Sequence, residues 1–295
     1  ASTDNTLKIA EDILKNSGRV YKIINHEKNS GVSVSRNDGL DAARGEYIWF
    51  CDSDDLAEKI FVSSLVREAE DKNADFVFCG LKIYFKNENR FEAAGCIPEK
   101  PLGNSENYLR AWAKREIDFW SVCNCLFKKE FLKTNKLKFS EKLYVYEDGE
   151  FILKALALSS KISIIKEMLY IYIRHSELKA TKIQEVLALA ESFIPAKWRA
   201  GRCILKNTKD QYVKNYVFAY LIANGFIKLL TIYAKSGDEY KEKYYAKLKI
   251  LRHKKIRKLM FSTIKFFFKE PELFFKALMI LYFPNLYFKI RRKLK

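Results

Sequence analysis

Residues Tyr47-Ile48-Trp49-Phe50-Cys51-Asp52-Ser53-Asp54-Asp55 pass from five mostly apolar side chains straight into a turn with three carboxylates. The apolar part has the length and composition of a buried β-strand. Burying the acids without partners would be costly, so the strand is expected to end at the open carboxyl edge of a sheet. Carboxylates this close repel one another and build a negative potential, which suits a divalent cation and, through it, a diphosphate. The same residues also fit a plainer pattern, a strand followed by a solvated acidic turn that caps the next helix. The nonapeptide alone leaves both open.

The sequence just before it narrows the choice. Asn29-Ser30-Gly31-Val32-Ser33-Val34-Ser35-Arg36-Asn37-Asp38-Gly39-Leu40 leads through Ala42-Ala43-Arg44-Gly45-Glu46-Tyr47 into the strand. The order Gly-Val-Ser, Ser-Arg-Asn, Gly-Leu, Gly-Glu-Tyr and Asp-x-Asp over residues 31–55 resembles the family 2 glycosyltransferases of the GT-A fold. Two later segments strengthen the resemblance: Ser121-Val122-Cys123-Asn124-Cys125-Leu126-Phe127, and Tyr146-Glu147-Asp148-Gly149-Glu150. In the first, Cys125 stands where the family commonly has Lys, which removes one expected polar contact.

The resemblance implies an α/β protein with a GT-A mixed sheet and flanking helices over residues 1–181, N-terminally incomplete because the family's first strand, helix and strand are lacking. It implies an inverting transfer from a nucleotide sugar, UDP-linked, to a saccharide or lipid-linked saccharide in cell-surface glycan synthesis, with Mg or Mn as cofactor. By the family's pattern Asp54 holds the metal, while Asp52 meets the donor ribose or a metal-bound water. Arg36 and Asn37 become donor contacts, although an arginine near a helix start can equally pair with Asp41 or Glu46. The Glu147-Asp148 pair opens a helix, where the dipole and free amides favour ionised side chains. Asp148 is then the expected general base, with Glu147 and Asp55 beside the acceptor; the alternative is an ordinary helix cap. The strand Leu169–His175 ends in Arg174, assigned to the donor phosphates, and His175, assigned to the metal.

Hydrophobic spacing supplies the elements. Residues 7–14 read as a helix stopped near Gly18, 20–24 as a short strand, 33–43 as a helix, 58–71 as a helix and 75–80 as a buried strand. Residues 86–106, polar with Gly and Pro, read as a loop over the site, and 108–114 as a short helix. Beyond 181 the pattern is helical over 182–206, 210–235, 238–259 and 271–292, with Pro195, Gly237, Pro271 and Pro284 as breaks or kinks. Residues 182–295 are therefore a helical C-terminal region.

Composition sets the remaining bounds. The 295 residues, 48% of them hydrophobic, can bury a sizeable core. The net charge of +18 is concentrated at the end: residues 241–295 hold 17 Lys or Arg against 3 acids. There Phe266, Phe267, Phe268, Phe274, Phe275 and Phe288 interleave with the basic residues, a composition suited to the headgroup boundary of an anionic membrane. A helical subdomain packing its aromatics inward fits the same composition. Nucleic acid is not an expected partner, because the charge lies beside bulky apolar faces and no nucleic-acid module is visible. The six cysteines form no Cys-x-x-Cys pair and are expected to be free thiols. With neither a leader nor a spanning apolar run, the expected location is the cytoplasm, peripheral to the inner face of the cytoplasmic membrane. The competing readings are an inactive fragment of such an enzyme and a non-enzymatic protein that binds membrane or nucleic acid through its tail.

Overall fold

The computed structural model describes residues 1–95, 97–118, 121–141, 146–174, 183–217, 229–233, 241–251, 279 and 282–293. Its centre is strand β3 (Phe76–Phe85), whose first six residues are all buried. Such a run of apolar side chains fits a strand covered on both faces. Before it in the chain come β1 (Tyr47–Trp49) and β2 (Leu56–Ala57); after it come β4 (Arg90–Ala94), β5 (Cys125–Lys128) and β6 (Ile162–Arg174). β6 runs parallel to β3 along its length, while β5 pairs antiparallel with the first half of β3 and β4 with the second. The order β1-β5-β3-β6-β2 puts β1 and β2 on opposite edges, so the acidic turn between them has to cross the sheet. This is the mixed sheet with flanking helices that the sequence predicts.

One glycine makes the central pairing possible. Cys79 lies opposite Ile165 but Gly80 lies opposite Met168, so β6 carries an irregularity at Lys166 and Glu167. A Cβ on Gly80 would stand 2.9 Å from the Lys166 carbonyl oxygen and 3.0 Å from that of Glu167. Only a residue without a Cβ lets the bulged strand approach this closely.

Helix α1 is Thr6–Asn16, α2 Val32–Ala42, α3 Phe61–Lys72, α4 Ser105–Ala113, α5 Lys129–Thr134, α6 Glu147–Leu158, α7 Ile183–Asn207 and α8 Gln211–Tyr216. α3 buries Phe61, Leu65 and Ala69 and ends in left-handed Asn73. α1 forms where its apolar spacing predicts, yet none of its residues is buried. Aromatic rings fill the space behind the acidic turn. Phe139 stacks on Phe151 at 4.2 Å, and Phe50, the first residue after β1, meets Phe139 edge-on at 5.0 Å. Trp49 Nε1 donates to the Cys123 carbonyl at 2.7 Å, which pins the end of β1 from the other side.

The helical region is tied to the sheet domain by a buried carboxylate. Glu150 of α6 is 2% exposed and accepts from Arg199 Nε at 2.8 Å and Nη2 at 2.7 Å, both from α7. Ser140 Oγ donates to it at 2.9 Å, and Lys154 Nζ makes a further short contact. Those partners outweigh burial and hold the Glu150 carboxyl below its usual range.

Three expectations change. Residues 20–24 are not a strand: their backbone joins no sheet among the described residues, and Val20 is 99% exposed. A β-branched composition cannot hold a strand that has no neighbour. Residues 86–106 are not all loop, because β4 folds back on β3 as a hairpin and α4 begins at Ser105. Of the two effects expected of Pro195, a break or a kink, the break does not occur, since α7 runs through it from Ile183 to Asn207. Of the expected helix over 210–235, α8 accounts for the start, while the described residues of 238–259 and 271–292 include helices Lys241–Leu251 and Pro284–Lys293. Residues 252–278, most of the aromatic and basic stretch, lie outside the described residues.

Gly80→Val is expected to lower stability by about 1–3 kcal/mol, the usual range for forced overpacking. Urea denaturation checks this; an unchanged midpoint would mean that the bulge relaxes without cost.

Candidate active site

Arg36 projects from α2 into a group of carboxylates that come from two other segments. Its Nη2 donates to Asp52 Oδ1 at 2.9 Å. Its Nη1 makes a short hydrogen bond to Asp148 Oδ1 and reaches Glu147 Oε1 at 3.5 Å. The Arg36 side chain is only 10% exposed, and its guanidinium carbon lies 5.2 Å from the centre of the Phe139 ring. Burial works against its charge, but Asp148 and then Asp52 outweigh that effect and raise its pKa above the ordinary value. The expected alternative partners do not appear: Lys138 pairs with Asp41 instead.

Asp148 is held from three directions. Beyond Arg36, its Oδ2 accepts from Ser121 Oγ and from the Val122 amide, each at 3.2 Å. The turn into α6 is fixed by Tyr146, which adopts the left-handed conformation (φ 68°) directly before Glu147. Its ring lies against Gly149, where an added Cβ would come within 2.7 Å of Tyr146 Cε2. A side chain at position 149 would have to displace the Tyr146 ring from the turn that presents the acid pair. The Tyr146 ring also packs edge-on against Phe193 of α7 at 4.8 Å.

The electrostatics of the pair differ from expectation. A helix start favours ionised acids, yet burial pushes the pKa of Asp148 up, with Arg36 only partly opposing it. Burial raises Glu147 as well, and the neighbouring charge of Asp148 adds to the effect. Desolvation exceeds the modest stabilisation a helix terminus supplies.

The remaining expected site residues separate. Asp52 joins the cluster and Asp54 is exposed on the same turn. Asp55 turns away: it accepts from the Tyr170 hydroxyl at 2.6 Å and from the Ile173 amide at 2.9 Å, so both oxygens tie the turn to β6. Asn37 is buried, with its amide spent on the backbone of Phe139, donating to its carbonyl and accepting from its N–H at 2.9 Å each. It braces the segment under Arg36 and does not reach the acid cluster. Arg174 ends β6 with its guanidinium 5.4 Å from the Phe85 ring centre. His175 lies outside the described residues.

Sequence reasoning did not pick out Ser121, Tyr146, Phe139 or Tyr170. Ser121 and Tyr146 stand in the two motif segments that carry the resemblance, and the Ser121 hydroxyl caps the short turn of residues 122–124 by accepting from Cys123 N. The described cysteines are free, as expected. Burial pushes Cys79 and Cys123 up to about 12, which leaves both as inert thiols near neutral pH.

Among the described residues no group of three or more His, Cys, Asp or Glu side chains is arranged to hold a metal. Two acids on one turn are nonetheless a sufficient protein share for Mg or Mn, which keep several waters and take substrate phosphates as ligands. Asp52, with one oxygen committed to Arg36, and exposed Asp54 fit that partial set.

A mixed sheet crossed by an acidic turn, with an acid pair at a nearby helix start, has the layout of GT-A nucleotide-diphospho-sugar transferases. The fold agrees with that of solved S. aureus TarS 1–349: the structure in complex with UDP-GlcNAc is 21% identical, with a TM-score of 0.61 over 84% of this chain and 68% of that one. Residues 1–135 match the family model described as glycosyl transferase family 2. EpsJ of Bacillus subtilis (strain 168), an uncharacterized glycosyltransferase, is 29% identical over 75% of this chain and 66% of its own length. The poly(ribitol-phosphate) beta-N-acetylglucosaminyltransferase TarP of Staphylococcus aureus (strain N315) is 28% identical over 55% of this chain and 51% of its own. The chain thus spans between half and two thirds of these two relatives.

Replacing Arg36 with Met would leave Asp52, Glu147 and Asp148 without their shared cation. The loss should approach the roughly 3–5 kcal/mol seen when one partner of a buried pair is removed. It should shrink as pH falls, because protonation relieves the uncompensated acids in the variant. Urea denaturation at pH 5 and pH 8 tests the sign; a deficit that grows toward acid would refute this account of the cluster.

Proposed function

We propose that this chain transfers a sugar from a nucleotide-diphosphate donor, UDP-linked, to a hydroxyl of a saccharide or lipid-linked saccharide in cell-surface glycan synthesis. The reaction inverts the anomeric carbon and uses Mg or Mn. It takes place at the inner face of the cytoplasmic membrane, with the basic C-terminal region toward the lipid. The observation that carries the reading is the single cluster in which Arg36 joins Asp52, on the acidic turn, to Asp148. A direct displacement needs these two functions adjacent, one at the leaving diphosphate and one at the incoming hydroxyl. The names of the relatives support the glycan class, and UDP-GlcNAc in the TarS complex supports the donor class.

Asp54 and Asp52 would hold the ion, which when bound neutralises charge on the departing diphosphate. Asp148 takes the proton of the acceptor hydroxyl as its oxygen attacks the anomeric carbon from the face opposite the diphosphate. One attack with in-line departure inverts that centre. Burial suits Asp148 to this task by raising its proton affinity, and Ser121 and Val122 fix its orientation. Glu147 stands beside the acceptor. Arg36 limits repulsion between the acids while the donor is absent. Arg174, exposed at the end of β6, is assigned to the diphosphate, and His175 to the metal. Asn37 and Asp55 act as braces for the site.

Asp148→Asn should cut transfer by roughly 10²–10⁴-fold, the usual share of a general base, with donor affinity nearly unchanged. Radiolabelled sugar transfer and donor titration measure the two effects; full activity in this variant, with activity lost in Glu147→Gln, would move the base to Glu147.

The raised pKa of Asp148 also sets a pH dependence. A base must be deprotonated, so the acidic limb of kcat/KM should lie above the ordinary aspartate value of 3.8. A limb at or below that value would exclude Asp148 as the titrating group.

The metal is tested without turnover. UDP should raise the melting temperature only with Mg or Mn present, and Asp54→Ala should abolish that shift while the fold persists. An equal metal-dependent shift in the variant would exclude Asp54 as a ligand.

A further inference from the structure

Helix Pro284–Lys293 is docked on neighbouring helices through Tyr287 and its first residues and leaves apolar side chains exposed beside that contact. Tyr287 is 4% exposed, and its hydroxyl lies 2.7 Å from Thr231 Oγ1. The Tyr244 hydroxyl donates to the Pro284 carbonyl at 3.3 Å, and the Tyr245 hydroxyl makes a short bond to Asn285 Oδ1. With that contact fixed, Phe283, Leu286 and Ile290 remain 59%, 50% and 41% exposed. Leu286 and Ile290, four residues apart, lie one above the other, with Phe283 just before the helix and buried Tyr287 bordering them. Tyr282, 45% exposed, extends the patch at its start.

The charge carried by this helix itself has one sign. Lys289 is exposed in the same helix, and the sequence from there reads Lys-Ile-Arg-Arg-Lys-Leu-Lys, with no Asp or Glu anywhere after Glu272. Three contiguous exposed apolar residues are unfavourable in water, whereas at a bilayer boundary they enter the acyl region while flanking bases meet anionic headgroups. Among the described residues no helix is long and apolar enough to cross a membrane, so contact through this helix would be in the plane of the surface.

We propose that the exposed face of helix Pro284–Lys293 docks on an anionic lipid surface, with Phe283, Leu286 and Ile290 inserted and the basic residues at the headgroups. A second copy of the chain is a poorer occupant, since a two-fold contact would bring the same basic cluster against itself. The proposal deepens the functional reading by naming the surface that brings the chain to a lipid-linked acceptor. It is tested without donor or acceptor, so each can fail without the other.

The test is co-sedimentation of the full chain with phosphatidylcholine vesicles, with and without phosphatidylglycerol, at low and high salt. Binding should favour the anionic vesicles by about tenfold or more and fall as salt screens the attraction. The combined variant Phe283→Ser, Leu286→Ser, Ile290→Ser should lose about tenfold or more of that binding, with its melting temperature unchanged. Should the triple variant unfold, Leu286→Trp in the otherwise unaltered chain replaces it: brominated lipid should quench its emission more than that of the parent. Equal binding to neutral vesicles, undiminished binding by a folded triple variant, or no added quenching at Trp would overturn the proposal. So would tighter binding to duplex DNA than to lipid, or a concentration-dependent dimer that the triple variant abolishes without any vesicle binding.

Discussion

Three carboxylates share one partly closed space because a single guanidinium stands among them. Arg36 is 16 residues from Asp52 and 111 and 112 residues from Glu147 and Asp148 in sequence, yet it contacts all three. Without a cation, repulsion and desolvation would act together against bringing α2, the acidic turn and α6 to one point. The aromatic packing behind them supplies the rest of the constraint. Phe139 lies under the guanidinium, Phe151 stacks on Phe139, and Phe50 pins the turn to both. The site is therefore part of the core's geometry and not an addition to a finished surface.

Much of this could be read from the chain. The strand that runs into Asp52 and Asp54, the helix that opens at Glu147-Asp148 and the buried strand after Asp75 all stand where periodicity and motif order put them. Local signals suffice there, because each element announces itself within about ten residues. The hairpin of β3 and β4 escaped for the opposite reason: Arg90–Ala94 is short, mixed in composition and mostly exposed, so only its partner strand makes it a strand. The failed strand at 20–24 is the mirror case, with the right composition and no partner.

The roles of individual polar residues were harder to foresee. Arg36 and Asn37 are adjacent in sequence and were both expected at the donor, but a helix points neighbours about 100° apart. One faces the acid cluster and the other the Phe139 backbone. Asp52, Asp54 and Asp55 likewise divide by side, with Asp55 bound to β6. The ionisation of the pair at α6 was misjudged because a helix terminus is visible in sequence, whereas burial depends on everything packed around it.

The Glu150 network bears on how the molecule can be divided. Its carboxylate belongs to the first turn of α6, two residues after Asp148, but its bidentate partner Arg199 comes from α7. A cut near residue 181 would strip away that guanidinium and leave Lys154 and Ser140 to satisfy a nearly enclosed acid. The compositional border between the sheet domain and the basic helices is thus a poor place for scissors. A minimal catalytic fragment has to retain α7 at least through Arg199, or carry a neutral residue at position 150.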